Sequence, residues 1–355
     1  MLFASYSSLI GDIPGYSEVK DFEVKDEYVF LIGDKLIIID STNPRIPRII
    51  NTIDMFNPHW ISLQEDFAFI QVGGGDLQIV DVSDPPNAEI VSVLENEGVS
   101  AIQDSLLYSV KSPNTALSGD FSVYNLSNPR NPILISEEGE IINWAKDFKV
   151  HENYGYLIGG DPLLTILDLS NASDIKTIST FFDDGIDRHA GQHIQIHNNI
   201  AYITDSDSNP YEPERHILYA LNITNPISPE IIWKIDSKNI YNIWVEPDLL
   251  YCTSISNGLI IYDISNPQNP VLIDSYNQGF QIYNGVEVHN EKIYLTGIPR
   301  LLILNNKDLS KFSHFYQNFD FRGWLIVITV LIGLLSIGFF ISDLISAKRR
   351  HELLM

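Results

Sequence analysis

The stretch GLIIYDISNPQNPVLIDSY, Gly258–Tyr276, decides the fold. Leu259–Tyr262 is an aliphatic and aromatic run of the kind that suits a pleated strand. It does not alternate with polar residues, so it reads as a strand covered on both faces. Asp263 ends the run with a side chain that can accept nearby backbone amides. Pro267 and Pro270 cannot donate to a ladder, so a turn separates the run from the next strand at Val271.

The same phrase recurs along the chain. Its copies are Lys35–Ile50, Asp76–Val91, Phe121–Ile135, Leu163–Ile178 and Ile217–Ile232, with a decayed copy at Arg300–Phe315. The anchor position is held by Asp40, Asp81, Asn125, Asp168, Asn222, Asp263 and Asn305, which are spaced by 41, 44, 43, 54, 41 and 42 residues. Each copy is preceded by a leader of two short strands around a tight polar turn, as at Asp26-Glu27 and Pro247-Asp248. The unit is therefore four strands, and a period near this length indicates a β-propeller. The phrase resembles the consensus of the LVIVD-repeat family from about Ser17 to Tyr316. That resemblance implies a propeller, often at a prokaryotic cell surface, in a family whose activities are mostly undefined.

The expected fold is all-β: a seven-bladed propeller of four-stranded blades, followed by one transmembrane α-helix. The expected divisions are 1–16 (an N-terminal strand), 17–318 (the propeller), 323–342 (the helix) and 343–355 (a basic tail). Met1–Gly11 has no positive residue and too short an apolar run for a signal peptide. It reads instead as a strand that pairs with the last unit and closes the ring, or as an internal start downstream of a leader.

Trp324–Ser342 is an uncharged apolar run of 19 residues. At about 1.5 Å per residue it would span about 28 Å, close to a bilayer core. Trp324 stands where an interfacial anchor would, and Lys348, Arg349 and Arg350 follow the run. The positive-inside bias then predicts a single-pass protein of the cell membrane, with the propeller outside and the C-terminus cytoplasmic. Its first partner would be membrane lipid.

The net charge of −24 repels phosphate backbones, so nucleic acid is not an expected partner. Cys252 is the one cysteine and sits in an apolar strand, where it reads as buried and inert. Three N-x-S/T sequons, at Asn125, Asn171 and Asn222, all fall in repeat turns and are explained by turn chemistry.

Four constellations carry the candidate chemistry. Aligning the leaders puts Asp21, Trp60, Val99, Asp147, His193, Asn242 and Gly285 at one position, where the innermost strand begins at the channel mouth. Asp21, Asp147, His193 and Asn242 could hold calcium, another divalent ion or a polar ligand. The alternative is that each side chain bonds backbone between blades. The second constellation is His189, His193, His197 and His216. His197 matches His151 and His289 of other leaders and reads as a turn residue, which leaves the other three either as a metal or acid/base cluster or as solvated loop histidines.

Third, Asp205-Ser-Asp207 resembles the opening of an EF-hand loop, but Pro210 and His216 stand where that loop needs Gly and Glu. A looser metal site would use Asp205, Asp207 and Glu212 with His193 and His216. Fourth, Phe56, Trp60, Trp144, Tyr241, Phe280 and Tyr283 fall in loops of one predicted face and would form either a stacking rim for sugars or peptides or packing between blades. The long spacing between Asp168 and Asn222 enlarges two loops on that face, Phe181–His193 and Asp205–His216. No nucleophile-base pair, phosphate loop, CxxC or GxSxG motif is present.

The expected function is that of a membrane-anchored surface module that binds a protein, peptide or glycan ligand through its loop-rich face. The alternative is a metal-dependent hydrolase with a cation at the mouth of the channel.

Overall fold

The computed structural model describes residues 8–14, 19–111, 119–142, 145–183, 190–207, 215–237, 239–254, 257–276, 285–297 and 300–306. The expected helix, Trp324–Ser342, lies outside them, as do the basic tail and the decayed repeat beyond residue 306. Among the described residues no helix is long and apolar enough to cross a membrane.

Seven antiparallel sheets of four strands form the propeller, one for each repeat of the sequence. In the first six blades the strands follow chain order from the axis outward. Their inner strands are Asp21–Lys25, Trp60–Gln64, Glu97–Gln103, Asp147–His151, Gly191–His197 and Ile240–Val245, and the seventh blade adds Gly285–His289. Each inner strand contacts the next in ring order, and Gly285–His289 contacts Asp21–Lys25, which closes the circle. The outer strand of the seventh blade comes from the far end of the chain. Ser8–Pro14 pairs with Arg300–Asn305, with Ser8 opposite Asn305 and Pro14 opposite Arg300.

The third strands are the apolar runs of the repeat, and they are buried along most of their length, as in Lys35–Asp40 and Leu164–Asp168. The inner strands instead alternate. Asp21, Glu23 and Lys25 are half-buried while Phe22 and Val24 are buried. A strand's successive side chains point to opposite faces, so one set packs into the blades and the other faces the axis.

The anchor residue folds the turn that the repeat requires. Asp40, Asp81, Asn125, Asp168, Asn222 and Asp263 each accept, on Oδ1, the amide two residues on, at 2.7–3.0 Å. Hydroxyl and amide donors from Thr42, Ser83 and Ser170 hold the Asp40, Asp81 and Asp168 carboxyls below the usual range. A register shift recurs between the third and outer strands of six blades, as at Ile38/Ile39 and Ile261/Tyr262. These bulges add twist to each blade.

The third residue of every second strand is aromatic: Phe30, Phe69, Tyr108, Tyr156, Tyr202, Tyr251 and Tyr294. All seven are buried. Around the ring-closing junction, Tyr294, Leu301 and Ile303 of the seventh blade pack with Phe22, Leu31 and Ile39 of the first. Cys252 is fully buried in such an interior, and burial pushes its thiol well up.

Candidate functional site: the mouth of the channel

The starts of the inner strands surround a cavity of about 580 Å³ on the axis. Asp21, Trp60, His193, Asn242, Asp147 and Gly285, the aligned position of the leaders, all line it. Val99 of the third blade does not.

The two aspartates at this position share one geometry. Asp21 accepts its neighbour's amide, Phe22 N, at 2.9 Å on Oδ1 and Ile61 N of the next blade at 3.1 Å on Oδ2. Asp147 accepts Phe148 N at 2.8 Å and Ile194 N of the next blade at 3.0 Å. Each carboxylate therefore clasps two adjacent inner strands. Deeper in the ring, Glu287 Oε2 accepts Val24 N at 2.8 Å and joins the seventh blade to the first. Gly285 leaves room there for Phe22: a Cβ at this position would stand 2.6 Å from Phe22 Cε1.

Two residues along the same face of the inner strands lies a second layer. Glu23, Lys149, Gln195, Trp244 and Glu287 occupy it and line the same cavity. The leader alignment stops at the first layer and misses these five. The signal for them is the period of two along a strand: whatever faces the axis at one position is followed two residues on by another axial side chain.

Charge sets these groups apart. Burial, with Asp21 and Asp147 nearby, pushes the Glu23 carboxyl up to about 8, against the pull of Lys149. Burial and the charge of Glu23 raise Glu287 well above the usual carboxylate range. Burial brings Asp21 to about 6, although its two amides pull the other way. Asp147 moves in the opposite direction. Burial would raise it, but Lys149 and His193, together with the Ile194 amide, hold it well below the usual range. His193 Nδ1 stands 3.0 Å from Asp147 Oδ2. Lys149 is raised because Asp147, Glu23, Asp21 and Glu287 outweigh its own burial.

Of the proposed metal residues, His193, Asp205 and His216 have described side chains. Among the described residues, no three His, Cys, Asp or Glu side chains converge to hold a metal ion. His193 faces the channel. Asp205 is buried in Ile200–Asp207, where its carboxylate accepts Ala190 N at 2.8 Å. His216 is buried in the neighbouring strand, its ring 4.9 Å from that of Tyr241. The Asp207 side chain lies outside the described residues, as do Glu212 and His189. Both oxygens of Asp21 and of Asp147 accept one backbone amide each, the inter-blade bonding set out above as the alternative to ion binding.

Of the aromatic rim, Trp60 and Tyr241 line the cavity, while Phe56 is 73% exposed. Trp144, Phe280 and Tyr283 lie outside the described residues. His151, the counterpart of His197, ends its strand with Nε2 2.8 Å from Asn199 Oδ1.

Comparison with known proteins agrees with this architecture. The WD40 β-propeller domain of Doa1 superposes with a TM-score of 0.63 at 12% identity, over 85% of this chain and 98% of that one. A chain of the mitotic checkpoint complex gives 0.61 at 11% identity, over 84% and 90%. Sqt1 of Saccharomyces cerevisiae gives 0.59 at 9%, over 84% and 86%. At such identities the likeness is one of fold. No curated protein matches the sequence. The LVIVD repeat family matches residues 59–93, 144–181 and 239–278, which fall in the second, fourth and sixth blades. The chain is thus a seven-bladed β-propeller that carries LVIVD repeats.

Proposed function

We propose that the chain is a membrane-anchored binding module that takes a protein, peptide or glycan ligand at the loop-rich mouth of its channel. The observation that carries this reading is the axial cavity of about 580 Å³, walled by aromatic, charged and amide side chains. Ligand sites of this kind are typically about 300–1,000 Å³, with a few convergent polar groups on a largely pre-formed wall. Propellers with no sequence likeness to one another commonly serve as interaction scaffolds, which makes the fold compatible with this role without specifying the ligand. The enlarged loops, Phe181–His193 and Asp205–His216, adjoin the same mouth in sequence. The apolar stretch Trp324–Ser342 supports anchorage, and the three basic residues after it support a cytoplasmic tail.

The test is an array of glycans and peptides probed with the full chain in detergent, then with Trp60→Ala and with Ile231→Ser on the outer rim. The reading expects ligands that are lost with Trp60→Ala and kept with Ile231→Ser. Ligands indifferent to Trp60→Ala would refute it. Proteolysis of intact cells tests topology: the propeller should be cleaved from outside and the tail protected.

A further inference from the structure

The apolar side chains that the propeller leaves in water gather at one end. Of thirteen exposed large apolar residues among those described, only Phe56, Val93 and Phe182 lie toward the mouth. The other ten belong to the anchor turns and to the first residues of the outer strands, in five of the seven blades. Ile133 pairs with the anchor residue Asn125 and Val271 with Asp263, while Ile49, Ile90 and Leu272 follow one rung in. Register sets this end opposite the mouth: Asp21 is across from Ile32, whereas Lys25, Tyr28 and Asp40 share the far end. Ile133 is 60% exposed and Leu272 59%. Single exposed aliphatic residues are ordinary, but a recurrent rim of them marks a surface that something covers.

The course of the chain says what covers it. Arg300–Asn305 runs away from the mouth. Asn305 pairs with Lys292, and Asn306 N donates to Glu291 O at 2.8 Å in the turn between the first two strands of the blade. The chain therefore leaves the propeller at the apolar end. Residues 307–323 separate that point from the apolar run at Trp324, a reach of about 60 Å at full stretch. Phe312, Phe315, Tyr316, Phe319 and Phe321 make this connection rich in aromatic residues, which with Trp324 suit the boundary between bilayer and water.

Charge selects the kind of bilayer. Six of the seven turns between first and second strands carry acids at this end, Asp26-Glu27 and Glu65-Asp66 among them, and only Asn198-Asn199 does not. Lys25 pairs with Asp66 and Lys292 with Glu27, which leaves the centre of the face acidic. Arg45, Arg48 and Arg130 stand farther out, among the apolar side chains of the anchor turns, and are exposed. Anionic lipid would repel the acidic centre. Zwitterionic headgroups fit both parts, with their ammonium groups at the acids and their phosphates at the arginines.

We propose that the face opposite the mouth rests on the surface of a zwitterionic bilayer, with the apolar rim sunk to headgroup depth. This rests on the anchorage in the binding-module reading above and adds an orientation. The mouth of the channel then points away from the membrane and is open to ligands from the medium.

The experiment uses the full chain reconstituted in phosphatidylcholine vesicles. A polarity-sensitive dye is attached to one introduced cysteine at a time: Ile133→Cys, Leu272→Cys, Phe56→Cys or, within the apolar run, Ser336→Cys. Cys252 is fully buried and stays unlabelled. Spin-labelled lipid then quenches any dye that reaches the bilayer. Quenching is expected at Ile133→Cys and Leu272→Cys and not at Phe56→Cys. It should fall by about twofold or more at the rim when Ile49→Ser and Ile90→Ser are added, or when much of the lipid is phosphatidylglycerol. All these positions but Ser336 are exposed or partly exposed, so the variants should fold as the parent does. Quenching at Ser336→Cys with none at the rim would overturn the docking and leave the anchor standing. No quenching at Ser336→Cys would refute the anchorage; rim quenching would still uphold the docking, and its absence would end both. A rim dye that shifts to the blue without lipid quenching assigns the rim to a second copy of the chain and overturns the proposal, as does equal quenching at Phe56→Cys.

Discussion

Asp147 of the fourth blade accepts the backbone amide of Ile194 in the fifth, at 3.0 Å, while its other oxygen holds Phe148 N at 2.8 Å. One carboxylate thus fixes the spacing of two inner strands. Replacing it with alanine would leave two amides without an acceptor beside the axis. We expect Asp147→Ala to lower stability by about 2–4 kcal/mol, read by denaturant unfolding. Val99→Ala, at the same position of the third blade, makes no such clasp and should cost about 1 kcal/mol. Equal losses would remove the clasp as an explanation.

The carboxyls of the channel make stability depend on pH in two directions. Asp147 is depressed in the folded chain, so its contribution is present above about pH 4 and is lost as pH falls below that. Glu23 and Asp21 are raised, to about 8 and about 6. The folded chain then binds more protons than the unfolded one between about pH 4 and 8, so stability falls as pH rises through that window. These groups place maximum stability at about pH 4. Glu23→Gln should flatten the fall from pH 5 to 8 by about 1–2 kcal/mol. An unchanged slope in that variant would contradict the assignment.

Gly285 is packed against the first blade. A methyl there would meet Phe22 Cε1 at 2.6 Å and Cδ1 at 3.0 Å. Phe22 is buried in the core and cannot swing out at low cost. Gly285→Ala is expected to destabilise by about 1–3 kcal/mol. Gly139→Ala, whose methyl would meet only Asp120 Oδ1 at 3.6 Å, is the matched control and should be near neutral. Thermal unfolding of both variants decides.

The anchor turn tolerates exchange of its acceptor but not its loss. Asn125 and Asn222 accept the same amide that Asp263 does. Asp263→Asn should change stability by less than about 0.5 kcal/mol, whereas Asp263→Ala should cost about 1 kcal/mol. The comparison fails if the two variants unfold together.

Removing residues 1–14 should unpair the outer edge of the seventh sheet, whose partner is Arg300–Asn305. An open edge templates association. The truncated chain should melt lower and aggregate on heating, and adding back a Ser8–Pro14 peptide should partly restore it. A truncated chain that stays monomeric and equally stable would show the strand to be dispensable.

Repetition made the architecture legible. Seven copies of one phrase point to the blade count, and the residue that ends each of the first six apolar runs proved to be the acceptor in its turn. The first channel layer followed from aligning the leaders, because equivalent positions in a propeller share a distance from the axis. The second layer was harder to see. Glu23, Lys149, Gln195, Trp244 and Glu287 mix acidic, basic, amide and aromatic side chains, so nothing in their identities marks an aligned column. Only strand pleat relates them to Asp21 and its counterparts. The histidines pose the opposite problem. His193 and His216 are close in the chain and alike in chemistry, yet one faces the axis and the other packs inside a blade with its ring by Tyr241.

The shared seventh sheet also sets a clock for biosynthesis. Ser8 leaves the ribosome early, and its partner Asn305 follows about 300 residues later. At about 5–20 residues per second, the nascent strand waits on the order of 15–60 s for a place to dock. Six blades can assemble in that interval while the circle stays open. The last unit to be made is therefore the one that commits the first, and any stall before Arg300 leaves a nearly complete propeller with a hungry edge for chaperones to guard.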